Sequence, residues 1–272
     1  MSSAFLLILS LLIFAAGFRF YSRYIAKNIF SLGMNEKSMP PAHEFKDGID
    51  FVPTNRKILF GHHYSSIAGA APIIGPAVAV IWGWAPALLW IVLGVVFMGA
   101  AHDFAVLVLS MRHKGESIGK MAEKILTPRV RTIFLLIIFF LVWMVLAVFA
   151  LVVANLFVKF PGAVIPVNFE IIIAVVLGFY FNRKSKNLML PSLLAQLGLL
   201  VMIFAGTHYP VTMNMFGENQ VMFWIVALMI YSYVASILPV WVLLQPRDFI
   251  NGHQLFLCLA LLVLGVLISN PD

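Results

Sequence analysis

The chain has 272 residues, of which 62% are hydrophobic and 11% are charged. Soluble globular domains are about 45–50% apolar and about 25% charged. This composition therefore excludes a soluble globular domain. The low charge also excludes a disordered chain, and a single cysteine excludes a fold that depends on disulfides. Together with a mean hydropathy of +1.00, the composition leaves a membrane protein.

Eight apolar runs are close to the length of about 20 residues that crosses the hydrocarbon core of a bilayer. Two of them are irregular, because the run at 64–81 contains several glycines and prolines and the run at 163–181 opens with Pro166, Asn168 and Glu170. The sequence predicts an all-α polytopic membrane protein with eight transmembrane helices, at 4–21, 64–81, 84–110, 132–157, 163–181, 188–205, 221–244 and 255–268.

The basic residues predict the orientation of these helices. If all eight runs cross, the loops on one side carry 17 of the 18 lysine and arginine residues, and only Lys159 lies on the other side. Cytoplasmic loops are enriched in lysine and arginine, so both termini are expected outside. The net charge of +7 is then explained by topology, and the expected surroundings are the lipid bilayer, with no nucleic acid.

Two stretches on the predicted cytoplasmic side have features of their own. Residues 22–63 are expected to form a polar, proline-containing cytoplasmic loop. Residues 117–126 place Ile118, Met121, Ala122 and Ile125 on one helical face. This spacing predicts a short helix that lies at the membrane surface.

The run at 64–81 carries the strongest functional signal, because four glycines and prolines fall within eight residues near its middle. Each proline removes a backbone donor, and unwound backbone is tolerated at membrane depth only inside protein or beside a wet cavity. We predict a broken helix whose outer half begins near Pro76 and faces an anionic substrate; a kinked helix with close packing is the alternative. The expected substrate-binding residues are Ser65, Ser66, Gly69, Pro72, Gly75 and Pro76.

The run at 221–244 contains a second polar patch, which Pro239 interrupts. We expect Tyr231, Ser232 and Ser236 to contribute to substrate binding. Two broken segments at corresponding positions of two halves are typical of inverted-repeat transporters, and the separation by five spans has the right parity. A simple proline kink is the alternative.

Ionisable side chains inside apolar runs are functional hypotheses because they are costly in a bilayer. Asp103 is interpreted as the only acid well inside a run, and Asp103 with His102 is predicted to couple transport to a proton or cation. A place at the cytoplasmic boundary is the alternative for Asp103.

His62 and His63 open the broken run and are predicted to be gate or interface groups that titrate near neutrality. No cofactor is expected, and no metal site, because histidine spacings that bind zinc are absent from the sequence. A membrane-embedded metalloenzyme built on His62, His63, His102 and Asp103 is the competing hypothesis.

Four stretches resemble the carbon starvation protein A (CstA) family of bacterial transporters: FRFYSRYIAKN at 18–28, DGIDFVPTNRKILFGHHYSSIAGAAPIIGP at 47–76, HDF at 102–104 and LPVWVLLQPRDF at 238–249. The resemblance implies an inner-membrane symporter, not an enzyme, that imports peptides or pyruvate with protons or another cation during carbon starvation. It also implies that Arg247 and Asp248 are matched positions, which we expect at a gate or interface with His62 and His63.

The resemblance also implies a fold. The family is grouped with the amino acid, polyamine and organocation transporters, which implies a leucine-transporter-like fold of two inverted five-helix repeats. Residues 1–272 then form a single transmembrane domain, with an extra leading helix, a first repeat at 64–205 and a partial second repeat at 221–272. Family members are longer, so this chain is expected to be an N-terminal portion whose remaining helices come from a continuation or from a second chain. An inactive or accessory fragment is the other alternative.

Overall fold

The structure is a computed structural model that describes residues 2–33, 39–183 and 189–270. These residues contain helices and no strand. Eight helical segments among them are long and apolar enough to cross a membrane, so the predicted all-α polytopic architecture with eight spans is confirmed. The segments are Ser3–Ile29, Arg56–Trp82, Trp84–Arg112, Pro128–Lys159, Pro161–Phe181, Leu190–His208, Asn214–Ile237 and Leu244–Ser269.

Shorter elements make up the first half of the chain. Helices α1 and α2 are continued by π-helical turns into one run that ends at Ile29, and a π-helical turn likewise joins α6 to α7. The helices are α1 (Ser3–Ala16), α2 (Ser22–Tyr24), α3 (Pro41–Glu44), α4 (Arg56–Ile67), α5 (Ala70–Ala79), α6 (Trp84–Gly94), α7 (Ala100–Arg112) and α8 (Ile118–Ile125).

Long, nearly uninterrupted helices make up the rest. They are α9 (Pro128–Lys159), α10 (Val164–Arg183), α11 (Met189–His208), α12 (Gln220–Ile237) and α13 (Leu244–Ser269). The connections before α10 and before α12 each contain a short 3₁₀ turn. Within its length, an α-helix pairs its own backbone donors and acceptors, which is the requirement for crossing hydrocarbon.

The predicted loop at 22–63 is shorter in the structure, because helices enter it from both ends. The first helical run continues to Ile29, and α4 begins at Arg56. Polar and basic residues at these ends favour water without preventing helix formation, so hydropathy ends the first helix too early and begins the second too late. Between them, the backbone amides of Ile49, Asp50 and Phe51 donate to Oδ1 of Asp47, and these bonds hold the pKa of Asp47 below its usual range.

The break in the second span lies at Ala68 and Gly69, between α4 and α5, and not near Pro76 as predicted. The backbone leaves helical geometry at Ala68, where ψ is 42°. Pro72 is the third residue of α5. Because a helix makes no use of its first four amide hydrogens, a proline at this position does not break the helix. Pro76 is accommodated inside α5.

The second interruption is a true gap between two helices. Helix α12 ends at Ile237, Leu238 is extended, and the backbone amide of Val242 donates to the carbonyl of Pro239 in a turn. Helix α13 then begins at Leu244 and includes Arg247 and the residues after it. A kinked continuous helix over 221–244 is therefore wrong, and the last span begins eleven residues earlier than hydropathy indicates.

The short helix predicted at 117–126 is present as α8, whereas its place at the membrane surface stays a prediction. The side chain of Ser117 caps its N-terminus by accepting from the amide of Lys120, and Met121 and Ala122 are buried. Nζ of Lys124 lies 2.6 Å from the carboxylate of Glu116. This ion pair holds the pKa of Glu116 below its usual range.

The chain forms two compact units. The first comprises Met1–Pro53, Ala70–Thr132 and Cys258–Asp272, and the second comprises Thr54–Gly69 and Ile133–Leu257. In the first unit the leading helical run packs on the π-helical turn between α6 and α7 and on α7 itself. The ring centroids of Tyr21 and Phe97 are 5.2 Å apart, and those of Phe30 and Phe104 are 5.8 Å apart, both edge to face.

The core of the second unit lies where α4, α10, α11 and α13 meet. Its α10 also packs on α12 through Ala174 and Ala235. Gly178 of α10 lies so close to the backbone carbonyls of Trp241 and Val242, in the turn after α12, that a side chain has no room there. The largest cluster of buried side chains is Ile58, Leu177, Phe181, Ala195, Leu199, Phe249 and Ile250.

The outer surfaces are apolar. On α9, Phe139, Phe140, Trp143 and Met144 are each more than half exposed. Soluble proteins rarely expose contiguous apolar patches of this kind. The face is therefore suited to lipid.

Candidate functional site

Helices α4 and α13 approach closely in the second unit because each contributes a glycine. A Cβ on Gly61 would lie 3.1 Å from Cα of Phe249, and one on Gly252 would lie 3.5 Å from Cα of Gly61. Small residues let helix backbones pack tightly within a membrane. This contact brings the polar side chains around it within hydrogen-bonding distance.

The first polar contact at this approach joins His62 to Asp248. Nδ1 of His62 lies 2.7 Å from Oδ2 of Asp248, and the two side chains are 26% and 15% exposed. One helical turn further along α4, Oγ of Ser65 donates to the backbone carbonyl of Asp248 at 2.8 Å. Asp248 is thus held by α4 through both its side chain and its backbone.

The second polar contact joins α12 to α13. Nη1 of Arg247 donates to Oη of Tyr231 at 2.7 Å. Nε of Arg247 is buried and has no hydrogen-bonding partner among the described residues. Arg247 therefore lies inside the unit, in the first turn of α13, and not in a loop as the span boundaries predicted.

Glu170 of α10 completes the cluster, and sequence reasoning missed it. Its side chain is only 9% exposed, and its Oε1 has no hydrogen-bonding partner among the described residues. Arg247 and Asp248 are close enough to act on its carboxyl group electrostatically, and the side chain of Asn251 lies beside it. Asp103 is therefore not the only acid inside a span: Glu170 lies six residues into α10, about 9 Å along the helix axis.

The cluster of Glu170, Tyr231, Arg247, Asp248 and His62 combines two carboxyl groups, a guanidinium, an imidazole and a phenol. A guanidinium presents a planar set of donors that matches a carboxylate. Carboxyl and imidazole groups exchange protons at membrane depth in pumps and transporters. The arrangement can therefore bind a small carboxylate and exchange a proton in one place.

Several predicted binding residues lie apart from this cluster. Oγ of Ser66 donates to the carbonyl of His62 in its own helix, and Ser66 is exposed. On α12, Ser232 is exposed and Ser236 donates to the carbonyl of Tyr233. His63 is also exposed.

The glycines and prolines of the broken run are divided between the two units. Gly69 lies at the break and belongs to the second unit, whereas Pro72, Gly75 and Pro76 belong to the first. Pro72 and Gly75 are exposed on α5. Their predicted part in substrate binding stays a prediction.

The pair predicted to couple ions lies in the first unit. Nδ1 of His102 and Oδ1 of Asp103 are 3.2 Å apart, and the side chains are 69% and 46% exposed. Both lie in the first turn of α7. Their role in coupling also stays a prediction.

The metalloenzyme hypothesis gains no support from the geometry. Over residues 2–33, 39–183 and 189–270, no three histidine, cysteine, aspartate or glutamate side chains are grouped so that they could hold a metal ion. His62 has Asp248 as its partner, whereas His102 is paired with the adjacent Asp103.

These observations define a class: a polytopic α-helical membrane protein with a largely enclosed charged cluster, centred on the buried Glu170, of the kind that transporters use. The chain belongs to the carbon starvation protein CstA family, whose model matches residues 2–272. The family predicted from the sequence stretches is thereby confirmed.

Three relatives illustrate the similarity. The peptide transporter CstA of Escherichia coli (strain K12) is 34% identical over 99% of this chain and 39% of its own length. The peptide transporter CstA of Bacillus subtilis (strain 168) is 34% identical over 100% of this chain and 45% of its own length. The pyruvate/proton symporter BtsT of Escherichia coli (strain K12) is 34% identical over 100% of this chain and 38% of its own length.

The names of these relatives describe transport and not an enzymatic reaction. The chain spans less than half the length of each of them. No solved structure is significantly similar to it.

Proposed function

We propose that this chain works in a secondary transporter of the bacterial inner membrane that imports a small carboxylate-bearing nutrient, a peptide or pyruvate, together with protons. The observation that carries the proposal is the cluster of buried Glu170 with the partly buried Tyr231, Arg247, Asp248 and His62, because a folded membrane protein retains such costly groups for a function. The names of the relatives support the substrate class and the coupling ion.

The proposed architecture is the first part of an inverted-repeat fold, with a first repeat at 64–205 and a partial second repeat at 221–272. In such transporters, interrupted helices of the two halves meet around the substrate. The contacts of α4 with α13 through Gly61 and Asp248 support this arrangement, because α4 ends at the break in the second span and α13 begins directly after the gap that follows α12.

Roles follow for the predicted side chains. Arg247, Asp248, His62 and His63 control access from the cytoplasmic side, and Asp103 with His102 supplies a second carboxyl group on the proton path. Substrate is held by the polar and small residues of the two interrupted segments: Ser65, Ser66, Gly69, Pro72, Gly75, Pro76, Tyr231, Ser232 and Ser236.

The proposed orientation places both termini outside. Arg56 and Lys57 at the start of α4 and Arg112 at the end of α7 lie on the same predicted side as the surface helix α8, and basic residues favour the cytoplasm. Cysteine accessibility tests this orientation: a cysteine at Ser2 should react with an impermeant maleimide in intact cells, whereas one at Ser117 should react only after lysis.

Uptake measurements test the function. The product of the natural gene is reconstituted into liposomes, and entry of labelled pyruvate and of a labelled dipeptide is followed with the outside more acidic than the inside. Accumulation that a protonophore abolishes is the expected result. Absence of uptake of both compounds, with correctly inserted protein, would overturn the proposal.

A further inference from the structure

Glu170 and Arg247 are opposite charges that lie close enough to interact electrostatically. Glu170 is buried and Arg247 is partly buried, and yet two buried atoms, Oε1 of Glu170 and Nε of Arg247, lack hydrogen-bonding partners among the described residues. A buried charged group without a partner is expensive. The arrangement is therefore stable only if a further proton or a further ion completes it.

The carboxyl group of Glu170 can be compensated in two ways. As a carboxylate it needs the guanidinium of Arg247, whereas in its protonated form it is neutral and needs no cation. Asn251 lies beside the carboxyl group and can serve either form, because an amide both donates and accepts.

The guanidinium of Arg247 has N–H donors that Tyr231 does not use. Tyr231 accepts from Nη1, and the other donors include the unpartnered Nε. A carboxylate that accepts from two donors of one guanidinium is bound with a fixed orientation. Arg247 can accordingly hold the carboxylate of Glu170 or that of a substrate, but one buried guanidinium balances only one negative charge.

The other groups around Glu170 do not offer an equivalent partner. From α13 the nearby charged groups are Arg247 and Asp248, and Asp248 is already paired with His62 of α4. From α12 the titratable group at this place is Tyr231, bound to Arg247. The described part of α11 has one titratable side chain, that of His208 at its last residue.

We propose that a substrate carboxylate and the carboxylate of Glu170 bind Arg247 in alternation, so that binding of an anionic substrate transfers one proton from water to Glu170. This inference rests on the proposed function and assigns its coupling step. Before binding, the site holds one carboxylate and one guanidinium; afterwards it holds the substrate carboxylate, the guanidinium and a neutral Glu170. One anion and one proton enter together, and the net charge of the site is unchanged.

Linkage makes the proposal quantitative. Where Glu170 is ionised in the free protein, each bound substrate takes up one proton, so the Kd for pyruvate should rise about tenfold per pH unit. Glu170→Gln mimics the protonated carboxyl group and should bind pyruvate with a Kd that does not change over the same pH range. Arg247→Gln should lose the preference for pyruvate over pyruvamide, which has the same shape without the charge.

The experiment measures pyruvate binding to the purified product of the natural gene by titration calorimetry across this pH range. Glu218→Gln is the matched control, because it removes an exposed acid from the turn before α12 and should keep the wild-type slope. The inference would be overturned if Glu170→Gln kept the wild-type pH dependence of the Kd. It would also be overturned if Asp248→Asn lost this pH dependence and Glu170→Gln did not. If Glu170→Gln does not reach the membrane, Glu170→Asp is measured in its place. A shift in the pH range over which the Kd for pyruvate rises supports the proposal, and an unchanged dependence of the Kd on pH refutes it.

The two failures are distinguishable. Wild-type protein that binds and transports neither pyruvate nor dipeptide at any pH contradicts the proposed function. Wild-type protein that transports with protons, while Glu170→Gln retains both the slope and proton-driven accumulation, contradicts only the role of Glu170.

Discussion

The close approach of α4 and α13 at Gly61 predicts a position-specific cost for a single methyl group. A Cβ on Gly61 would lie 3.1 Å from both Cα and Cδ2 of Phe249, whereas ordinary contact begins at 3.4 Å. Phe249 is buried in the main core cluster, and its Cα can move only if the helix moves. Overpacking of this kind costs about 1–3 kcal/mol.

The substitution Gly265→Ala, on α13, is the matched control for Gly61→Ala, on α4. A Cβ there meets nothing within 4 Å. Alanine is favoured over glycine in a helix by about 0.8–1.0 kcal/mol, and this gain applies to both positions. The difference between the two substitutions therefore isolates the clash, and we expect Gly61→Ala to be less stable than Gly265→Ala by about 1–3 kcal/mol.

The assay is reversible unfolding in mixed detergent micelles, with the free energy of unfolding extrapolated to zero denaturing detergent. Circular dichroism before unfolding checks that each variant has wild-type helix content. Equal changes at Gly61 and Gly265, within about 0.5 kcal/mol, would refute the assignment of a tight α4–α13 contact.

Three further predictions concern polar contacts. The variants His62→Gln and Asp248→Asn, made singly and together, should give a coupling energy of about 0.5–3 kcal/mol in unfolding measurements; additive effects would contradict the pair. Tyr231→Phe should cost about 1.5–3 kcal/mol because a charged donor loses its acceptor, whereas Tyr233→Phe, at an exposed ring, should stay within about 0.5 kcal/mol. The lowered pKa of Glu116 means that its ion pair stabilises the loop above the usual pKa of a glutamate and is lost as the pH falls through the lowered folded pKa. Amide exchange across residues 113–126, corrected for intrinsic pH dependence, should therefore rise on acidification in the wild type but not in Glu116→Gln; equal profiles would reject the pair.

Hydropathy and charge were sufficient for the number of spans and the fold class. The ends of the spans were less predictable, because polar residues continue a helix beyond the apolar stretch: the first run reaches Ile29, and α13 begins at Leu244. The break in the second span was displaced for a different reason. Pro72 lies in the first turn of α5, where it obstructs no preceding turn, and Pro76 is accommodated inside α5, so the density of prolines alone does not say where a new helix begins.

The candidate site was predicted in part. His62, Arg247, Asp248 and Tyr231 were named from the sequence, although their mutual contacts join residues from 16 to 186 positions apart and no local pattern specifies such pairs. Glu170 had a usable signal, since it lies about 9 Å inside its helix, but the irregular opening of that run made it resemble a boundary residue.

The contact between His62 and Asp248 has a consequence for synthesis. The two residues are 186 positions apart, and a ribosome adds about 5–20 residues per second, so His62 exists for about 10–40 s before its partner is made. During that interval its imidazole needs water or another temporary partner. Its place six residues after Arg56, about 9 Å along the helix, keeps it near the basic end of α4, where this segment can remain hydrated until α13 is synthesised.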